Sequence, residues 1–183
     1  MLLLCYFAKS VVLEKKNTMP GKVDKPTQNM ALQGISEQEN FMIKVLSICH
    51  GNICRSVSAQ YIMEDLAKKN GVDLYVSSAA TSREEIGNDI YPPAKRKLKE
   101  KGIPFSRHYA RQATMSDYLS YDYLICMDEN NMRNLNRMFN NDPDHKIYKL
   151  LSRDVSDPWY SNDFETAYND INEGCKAWLE KLS

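Results

Sequence analysis

The eight residues CHGNICRS, from Cys49 to Ser56, place a nucleophile and a cation in one short stretch. They follow the apolar run MIKVLSI, which predicts a strand, and they precede a helical pattern. Cys49 and Arg55 are separated by five residues, which suits a loop that closes onto the first turn of a helix. Backbone N–H groups that point into such a loop bind an oxyanion. The stretch therefore predicts a phosphate-binding loop after the first strand.

The residue types in this loop fit covalent phosphate chemistry. Gly51 and Asn52 tolerate the positive φ that an anion cradle demands. Arg55 supplies a planar guanidinium that matches two oxygens of a phosphate. Inward amides, Arg55 and the helix dipole favour Cys49 as a thiolate, the form that attacks. The product of attack on phosphorus would be a phosphocysteine.

This chemistry also needs a proton donor for the leaving oxygen. The best candidate is Asp157 in SDPWYSND, stiffened by the proline after it, on a loop before the last helix. Trp159 and Tyr160 in the same stretch would supply aromatic walls for a flat aryl substrate. A second Asp-Pro pair begins at Asp142, but that residue lies in a helix-to-strand loop. Asp157 is therefore favoured as the general acid.

Strand-like and helix-like segments alternate from Met42 onward, which predicts an α/β fold. The predicted strands are 42–48, 72–80, 121–127 and 146–151, and the predicted helices are 56–70, 92–101, 114–120, 128–139 and 163–182. Such alternation gives one three-layer sandwich, a four-stranded parallel sheet with helices on both faces. Ligands bind at the carboxyl ends of the strands in such sheets, which is where CHGNICRS lies.

Composition excludes several classes of function. The chain has 24 basic and 24 acidic residues, so it lacks the basic field of a nucleic-acid binder. No apolar run approaches the roughly 20 residues that span a membrane. Five cysteines, without paired CxxC motifs, favour a reducing cytoplasm over a disulfide framework or a zinc site. We therefore expect no cofactor or metal, and neither nucleic acid nor membrane as a partner.

The first part of the chain reads differently from the rest. Residues 1–41 are polar after an apolar opening and predict a flexible extension or an overlong start, with Met42 as a plausible true beginning. The opening MLLLCYFAKSVVL is like a short secretory core, but no positive residues precede it and no clean cleavage site follows. Residues 42–183 are predicted to form the single catalytic domain.

From about Met42 to its end, the chain resembles a low-molecular-weight protein tyrosine phosphatase. The matching segments are CHGNICRS, SSAATS, HYARQ, YDYLICMDENNMRNL and DPWY, in the family's order and spacing. The resemblance implies that Cys49 is the nucleophile, Arg55 the phosphate clamp and Asp157 the general acid. It implies hydrolysis of phosphotyrosine in proteins or of small aryl phosphates, with phosphate as a product.

The resemblance also implies roles for the residues around these three. The implied phosphate-binding loop is His50, Gly51, Asn52, Ile53, Cys54, Arg55 and Ser56. The implied network that holds this loop and the thiolate is Asn52, Ser56, Ser78 and His108. The implied substrate walls are Glu84, Trp159 and Tyr160. Cys54 resembles the family's second loop cysteine, which forms a protective disulfide with the nucleophile under oxidation.

Four positions depart from the commonest family pattern or inform specificity. Val57 replaces a proline that often follows the serine. Glu84 and Glu85 stand where members often carry an aromatic residue, and acidic residues there would disfavour acidic peptides. Ile53 favours phosphotyrosine, because related protein-arginine phosphatases have threonine at this position.

The sequence of this loop is also compatible with other functions. A protein-arginine phosphatase and a non-catalytic phosphate-binding module would share the fold. A thiol-coupled arsenate reductase would need two further cysteines close together downstream, and Cys126 has no such neighbour. A redox sensor based on Cys49 and Cys54 would regulate a phosphatase rather than replace it.

Overall fold

A computed structural model describes residues 42–183, and the predicted extension at 1–41 lies outside the described residues. The strands are β1 (Ile43–Cys49), β2 (Leu74–Ala80), β3 (Tyr123–Cys126) and β4 (Ile147–Lys149). The helices are α1 (Arg55–Asn70), α2 (Pro92–Glu100), α3 (Met115–Ser120), α4 (Glu129–Met138), α5 (Pro158–Ser161) and α6 (Phe164–Leu182). Within this part of the chain, no helix is both long and apolar enough to cross a membrane.

The strands form one parallel sheet in the order β2-β1-β3-β4. The chain leaves β1 towards β2 and later returns to β3 on the other side of β1. Strand order therefore reverses at β1, and a crevice opens at its carboxyl end. The loop that follows Cys49 lies at this point, as predicted.

Alternate residues of β1 face two separate cores. Leu46 and Ile48 are fully buried on one face, where they pack with Leu135 and its neighbours on α4 and α3. Val45 is fully buried on the other face, in a cluster with Ile62 and further residues of α1, α2 and α6. Two covered faces confirm the predicted three-layer α/β sandwich with a four-stranded parallel sheet.

Helix ends follow their local capping signals. Thr114 and Asp117 form a reciprocal capping box at the start of α3. Gly71 ends α1 at φ 68°, a left-handed conformation that glycine adopts without strain. The short helix α5 was not predicted: a loop was expected before the last helix, and that prediction is wrong for Pro158–Ser161. Asp157 caps it and Pro158 opens it, but four residues are too few to show a helical period.

Gly174 marks a close approach between α6 and the end of β4. A Cβ at this position would lie 2.5 Å from Leu150 Cγ. Gly174→Ala is therefore expected to lower the free energy of unfolding by about 1–2 kcal/mol, because overpacking outweighs the better helix propensity of alanine. Urea unfolding monitored by circular dichroism would measure this. The exposed replacement Lys176→Ala on the same helix should change stability by less than about 0.5 kcal/mol. A more stable Gly174→Ala protein would show that Leu150 moves aside freely.

Candidate active site

The phosphate-binding loop spans the gap between β1 and α1. Cys49 ends the strand and Arg55 begins the helix. Asn52 has φ 61°, so the predicted left-handed residue is confirmed there. The same prediction is wrong for Gly51, which is not among the positive-φ residues. Gly51 instead leaves room for a neighbour, since a Cβ at this position would lie 3.1 Å from Glu85 Cγ.

The Cys49 sulfur is buried among hydrogen-bond donors. Ser56 Oγ lies 3.0 Å from Sγ, and the Asn52 backbone N–H donates to Sγ at 3.3 Å. Asn52 Nδ2 donates to Ser56 Oγ at 3.0 Å. Because that bond occupies a lone pair of the hydroxyl, the Ser56 hydrogen is free to point at the sulfur. Both donors stabilise negative charge on Cys49.

Asn52 is held in turn by His108 and Arg111. The Arg111 backbone N–H donates to Asn52 Oδ1 at 3.2 Å, which fixes the orientation of the amide. His108 Nε2 lies 2.8 Å from the Asn52 carbonyl oxygen, which can only accept, so Nε2 carries a hydrogen. Burial lowers the pKa of His108, which favours the neutral ring. Asn52, Ser56 and His108 thus form one connected network under the loop.

Two residues singled out in the sequence lie away from this network. Ser78 Oγ donates to Gln60 Oε1 at 2.7 Å, so it joins β2 to α1 rather than supporting the loop directly. The Asp142 carboxylate accepts from the Tyr118 hydroxyl and from the Ile147 N–H, at the first residue of β4. Asp142 therefore lies at the amino ends of the strands, whereas the phosphate-binding loop lies at their carboxyl ends, after β1. The preference for Asp157 over Asp142 agrees with this placement.

Arg55 is almost fully buried and binds two carboxylates. Its Nη1 lies 2.7 Å from Asp128 Oδ2, and its Nη2 lies 2.6 Å from Asp157 Oδ2. Burial opposes the charge, but Cys49, Asp157 and Asp128 together raise the pKa of Arg55. Asp128 also caps α4. Asp128 was not predicted as a site residue, although an aspartate between a buried strand and a helix is a signal for a side chain at the carboxyl ends of the strands.

The loop, the Asp157 segment and the 81–88 segment enclose a cavity of about 150 Å³. All three predicted walls line it, and the Tyr91 ring supports Trp159 at a centroid distance of 5.3 Å. His50 Nε2 lies 3.0 Å from Glu84 Oε2 at the mouth. The lining residues are Cys49, His50, Gly51, Ile53, Cys54, Arg55, Glu84, Glu85, Asp157, Trp159 and Tyr160.

Cys54 lies in surroundings that disfavour its thiolate form. Burial, followed by the nearby Cys49 and Asp157, raises the pKa of Cys54 to about 12, so it is a neutral thiol at pH 7. Neither Cys49 nor Cys54 is in a disulfide, and the disulfide between them stays a prediction. Within residues 42–183, no group of three or more His, Cys, Asp or Glu side chains is arranged to hold a metal ion.

The geometry defines a class of enzyme. A buried sulfur surrounded by donors lies in the same loop as a guanidinium, and a carboxylate reaches that guanidinium from another segment. This combination binds a tetrahedral anion and presents a nucleophile to it. The parallel sheet and the loop after its first strand therefore indicate a cysteine-dependent phosphatase.

Comparison with known proteins identifies the family. The sequence profile described as low molecular weight phosphotyrosine protein phosphatase matches residues 44–183. The human protein of that name is 43% identical over 149 residues, which cover 75% of this chain and 94% of the human protein. The Bacillus subtilis low molecular weight protein-tyrosine-phosphatase YfkJ is 35% identical over 150 residues, covering 77% of this chain and 96% of YfkJ. The chain belongs to this family and is a cysteine-dependent, metal-independent protein-tyrosine phosphatase.

Solved structures agree with this assignment. A low molecular weight protein tyrosine phosphatase from Streptococcus pyogenes, SP-PTP, superimposes with a TM-score of 0.74 at 38% identity, covering 78% of this chain and 94% of SP-PTP. The crystal structure of YfkJ superimposes with a TM-score of 0.76 at 35% identity, covering 79% and 96% of the two chains. The fold and the family thus agree.

Proposed function

We propose that this protein hydrolyses phosphotyrosine in proteins, and small aryl phosphate monoesters, through a phosphocysteine formed on Cys49. The observation that carries the proposal is the cavity shared by Cys49, Arg55 and Asp157. Each of the three has the chemical type that one task requires: nucleophile, phosphate clamp and proton donor. Inorganic phosphate leaves as the second product.

In the first step, the Cys49 thiolate attacks phosphorus while Arg55 and the loop amides bind the non-bridging oxygens. The sulfur–phosphorus bond forms, the bond from phosphorus to the aryl oxygen breaks, and Asp157 gives its proton to that oxygen. In the second step, water attacks the phosphocysteine and the Asp157 carboxylate accepts a proton from it. A bond from the water oxygen to phosphorus forms and the sulfur–phosphorus bond breaks, so that inorganic phosphate is released, the Cys49 thiolate is restored, and one water molecule is consumed in each turnover.

The two carboxylates on Arg55 have different tasks in this scheme. Asp128 is fixed as the cap of a ten-residue helix, and its side chain is 15% exposed. Asp157 caps a four-residue helix, and its side chain is 27% exposed. A bound phosphate takes Nη2 from Asp157, which then faces the leaving oxygen, while Asp128 keeps Nη1 in place. Asp128 is thus a positioning residue and Asp157 a catalytic one.

Aryl substrates are favoured over phosphoarginine by the lining of the cavity. Ile53 lies in it, beside the loop, and Trp159 and Tyr160 provide flat apolar surface at its mouth. A reduced nucleophile is essential to the scheme, which supports a reducing cytoplasm as the place of action. An arginine phosphatase would turn over phosphoarginine in preference to aryl phosphates, and a binding module would bind phosphate without turnover, whereas this proposal requires turnover of aryl phosphates that depends on Cys49.

Asp157→Ala is expected to slow poor leaving groups much more than good ones. Without the acid, the aryl oxygen must depart as an anion, so phenyl phosphate should lose about 10²–10⁴-fold in kcat/KM and p-nitrophenyl phosphate much less. The measurement is kcat/KM across a series of aryl phosphates whose phenols have increasing pKa, for the wild type and the variant, because kcat/KM reports the first step and not the hydrolysis of the phosphocysteine. A steeper dependence on leaving-group pKa in Asp157→Ala is the expected result.

Asp163→Ala provides the matched control, because it removes a carboxylate further along the same segment. Asp163 caps α6 and lies outside the cavity lining. Its loss should cost about 1 kcal/mol of stability and leave the leaving-group dependence unchanged. Equal slowing of all phenols by Asp157→Ala would remove Asp157 from the role of acid.

A further inference from the structure

The cavity lining carries more negative than positive charge, and its positive charge is deeply buried. Three carboxylates line it, those of Glu84, Glu85 and Asp157, against the single guanidinium of Arg55. The Arg55 side chain is 4% exposed, whereas that of Glu84 is 70% exposed. A phosphate with two negative charges therefore passes an acidic rim, defined as Glu84 and Glu85, before it reaches Arg55.

The rim is fixed to the phosphate-binding loop by the backbone. The Thr81 N–H donates to the Cys49 carbonyl at 2.8 Å. The Ser82 N–H donates to the His50 carbonyl at 3.0 Å. Glu84 follows two residues later, so its position relative to the bound phosphate is set by these bonds. The Glu84 carboxylate therefore lies next to the substrate residues on either side of the phosphorylated residue.

Neighbouring cations do not remove the negative charge of the rim. His50 is the one basic side chain in the cavity lining that contacts Glu84, and the two side chains are 53% and 70% exposed. Water screens a pair this exposed, so a cation on the substrate competes with His50 for the carboxylate. Glu85 Oε2 accepts from the Asn88 amide, which adds no charge. Arg83 is exposed and does not line the cavity.

We propose that the acidic rim selects phosphotyrosine flanked by lysine or arginine over phosphotyrosine flanked by aspartate or glutamate. This specificity rests on the function proposed above, because it concerns the substrate of the same site. Arg55 and the loop hold the phosphate, while the adjacent residues of the substrate stay at the mouth, within the Debye length of about 10 Å of both carboxylates. Basic flanks are attracted there, and acidic flanks are repelled.

The test compares three phosphotyrosine peptides that differ only in the residues on either side of the phosphotyrosine: lysine, alanine or glutamate. At low salt, kcat/KM for the lysine peptide should exceed that for the glutamate peptide by about 5- to 20-fold, from several screened contacts of a few-fold each. The alanine peptide should lie between them. The ratio should shrink in 0.5 M NaCl, because salt screens exposed charges.

Substitutions assign the preference to the rim. Glu84→Gln keeps the shape of the side chain and should lower the lysine-to-glutamate ratio, and Glu84→Lys should lower it further or invert it. Glu180→Lys makes the same change in net charge on α6, outside the cavity lining, and should leave the ratio unchanged. A shift of the ratio that follows Glu84 and not Glu180 is the expected result.

Two results would overturn this proposal alone. One is turnover of all three peptides at equal kcat/KM, or in the reverse order. The other is a Glu84→Lys enzyme whose kcat/KM falls by the same factor for all three peptides. That result would show that Glu84 contributes through the shape of its side chain and not through its charge. If the wild type hydrolyses neither p-nitrophenyl phosphate nor any of the peptides, the proposed function itself fails, and the specificity fails with it.

Discussion

Cys49→Ser is expected to abolish turnover while the enzyme still binds phosphate. Serine keeps the size of the side chain and the donors around it, since Ser56 and the Asn52 N–H do not depend on the sulfur for their positions. It does not supply a thiolate, so the loss in kcat should be about 10⁴-fold or more, as for the nucleophile of other covalent hydrolases. Hydrolysis of p-nitrophenyl phosphate measures the loss. Titration calorimetry with inorganic phosphate measures the binding.

Cys54→Ser is the control within the same loop. The raised pKa of Cys54 favours its neutral thiol, so we expect Cys54 not to attack, and its replacement should leave a measurable burst of phenol from the covalent step. Rapid quenching with a labelled substrate should trap phosphate on the Cys54→Ser protein and none on Cys49→Ser. Turnover by Cys49→Ser near the wild-type rate would exclude the phosphocysteine. Phosphate binding by a reduced wild type that shows no turnover would favour the binding module.

Arg55→Lys is expected to lose about 10²–10⁴-fold in kcat/KM although the charge is conserved. Arg55 contacts Asp128 and Asp157 with different nitrogens of one planar group, at 2.7 Å and 2.6 Å. A lysine ammonium is a point charge and cannot bind a carboxylate on one side and two phosphate oxygens on the other in the same geometry. The loss should be present in kcat, because a planar clamp stabilises the transition state as well as the bound substrate.

The same replacement should also lower stability, since Asp128 loses its guanidinium partner in a buried setting. We expect the free energy of unfolding to fall by about 1–3 kcal/mol because Asp128 loses this partner, as measured by urea unfolding. Arg153→Lys is the matched control, because Arg153 pairs with Asp170 and Glu173 outside the cavity lining and has no part in the loop network. It should leave kcat/KM within about twofold of the wild type. An Arg55→Lys enzyme with near-normal kcat would show that a positive charge is sufficient to stabilise the transition state, without the planar guanidinium.

Much of the fold could be predicted because its signals are local. Apolar runs, Gly71 at the end of α1 and the capping box of Thr114 each act within a few residues, and all four strands and five of the six helices described here were expected. The exception is α5, whose cap at Asp157 is visible in the sequence but whose length gives no period. Gly51 shows another limit: its residue type suggested a positive φ, whereas the structure shows instead the Glu85 side chain 3.1 Å from where a Cβ would lie.

The sequence by itself was enough to predict Cys49 as the nucleophile, Arg55 as the clamp and Asp157 as the acid, because residue type and spacing within CHGNICRS and SDPWYSND indicate that chemistry. The sequence also placed the loop at the carboxyl end of the parallel sheet, since parallel strands bring their carboxyl ends together. Only the tertiary structure decided which distant side chains meet there. Asp128 reaches Arg55 across 73 residues of sequence, His50 reaches Glu84 across 34, and Ser78 turns to Gln60. Hydrogen bonds depend on tenths of an ångström, and such distances are set by the packing of helices on both faces of the sheet rather than by any local pattern.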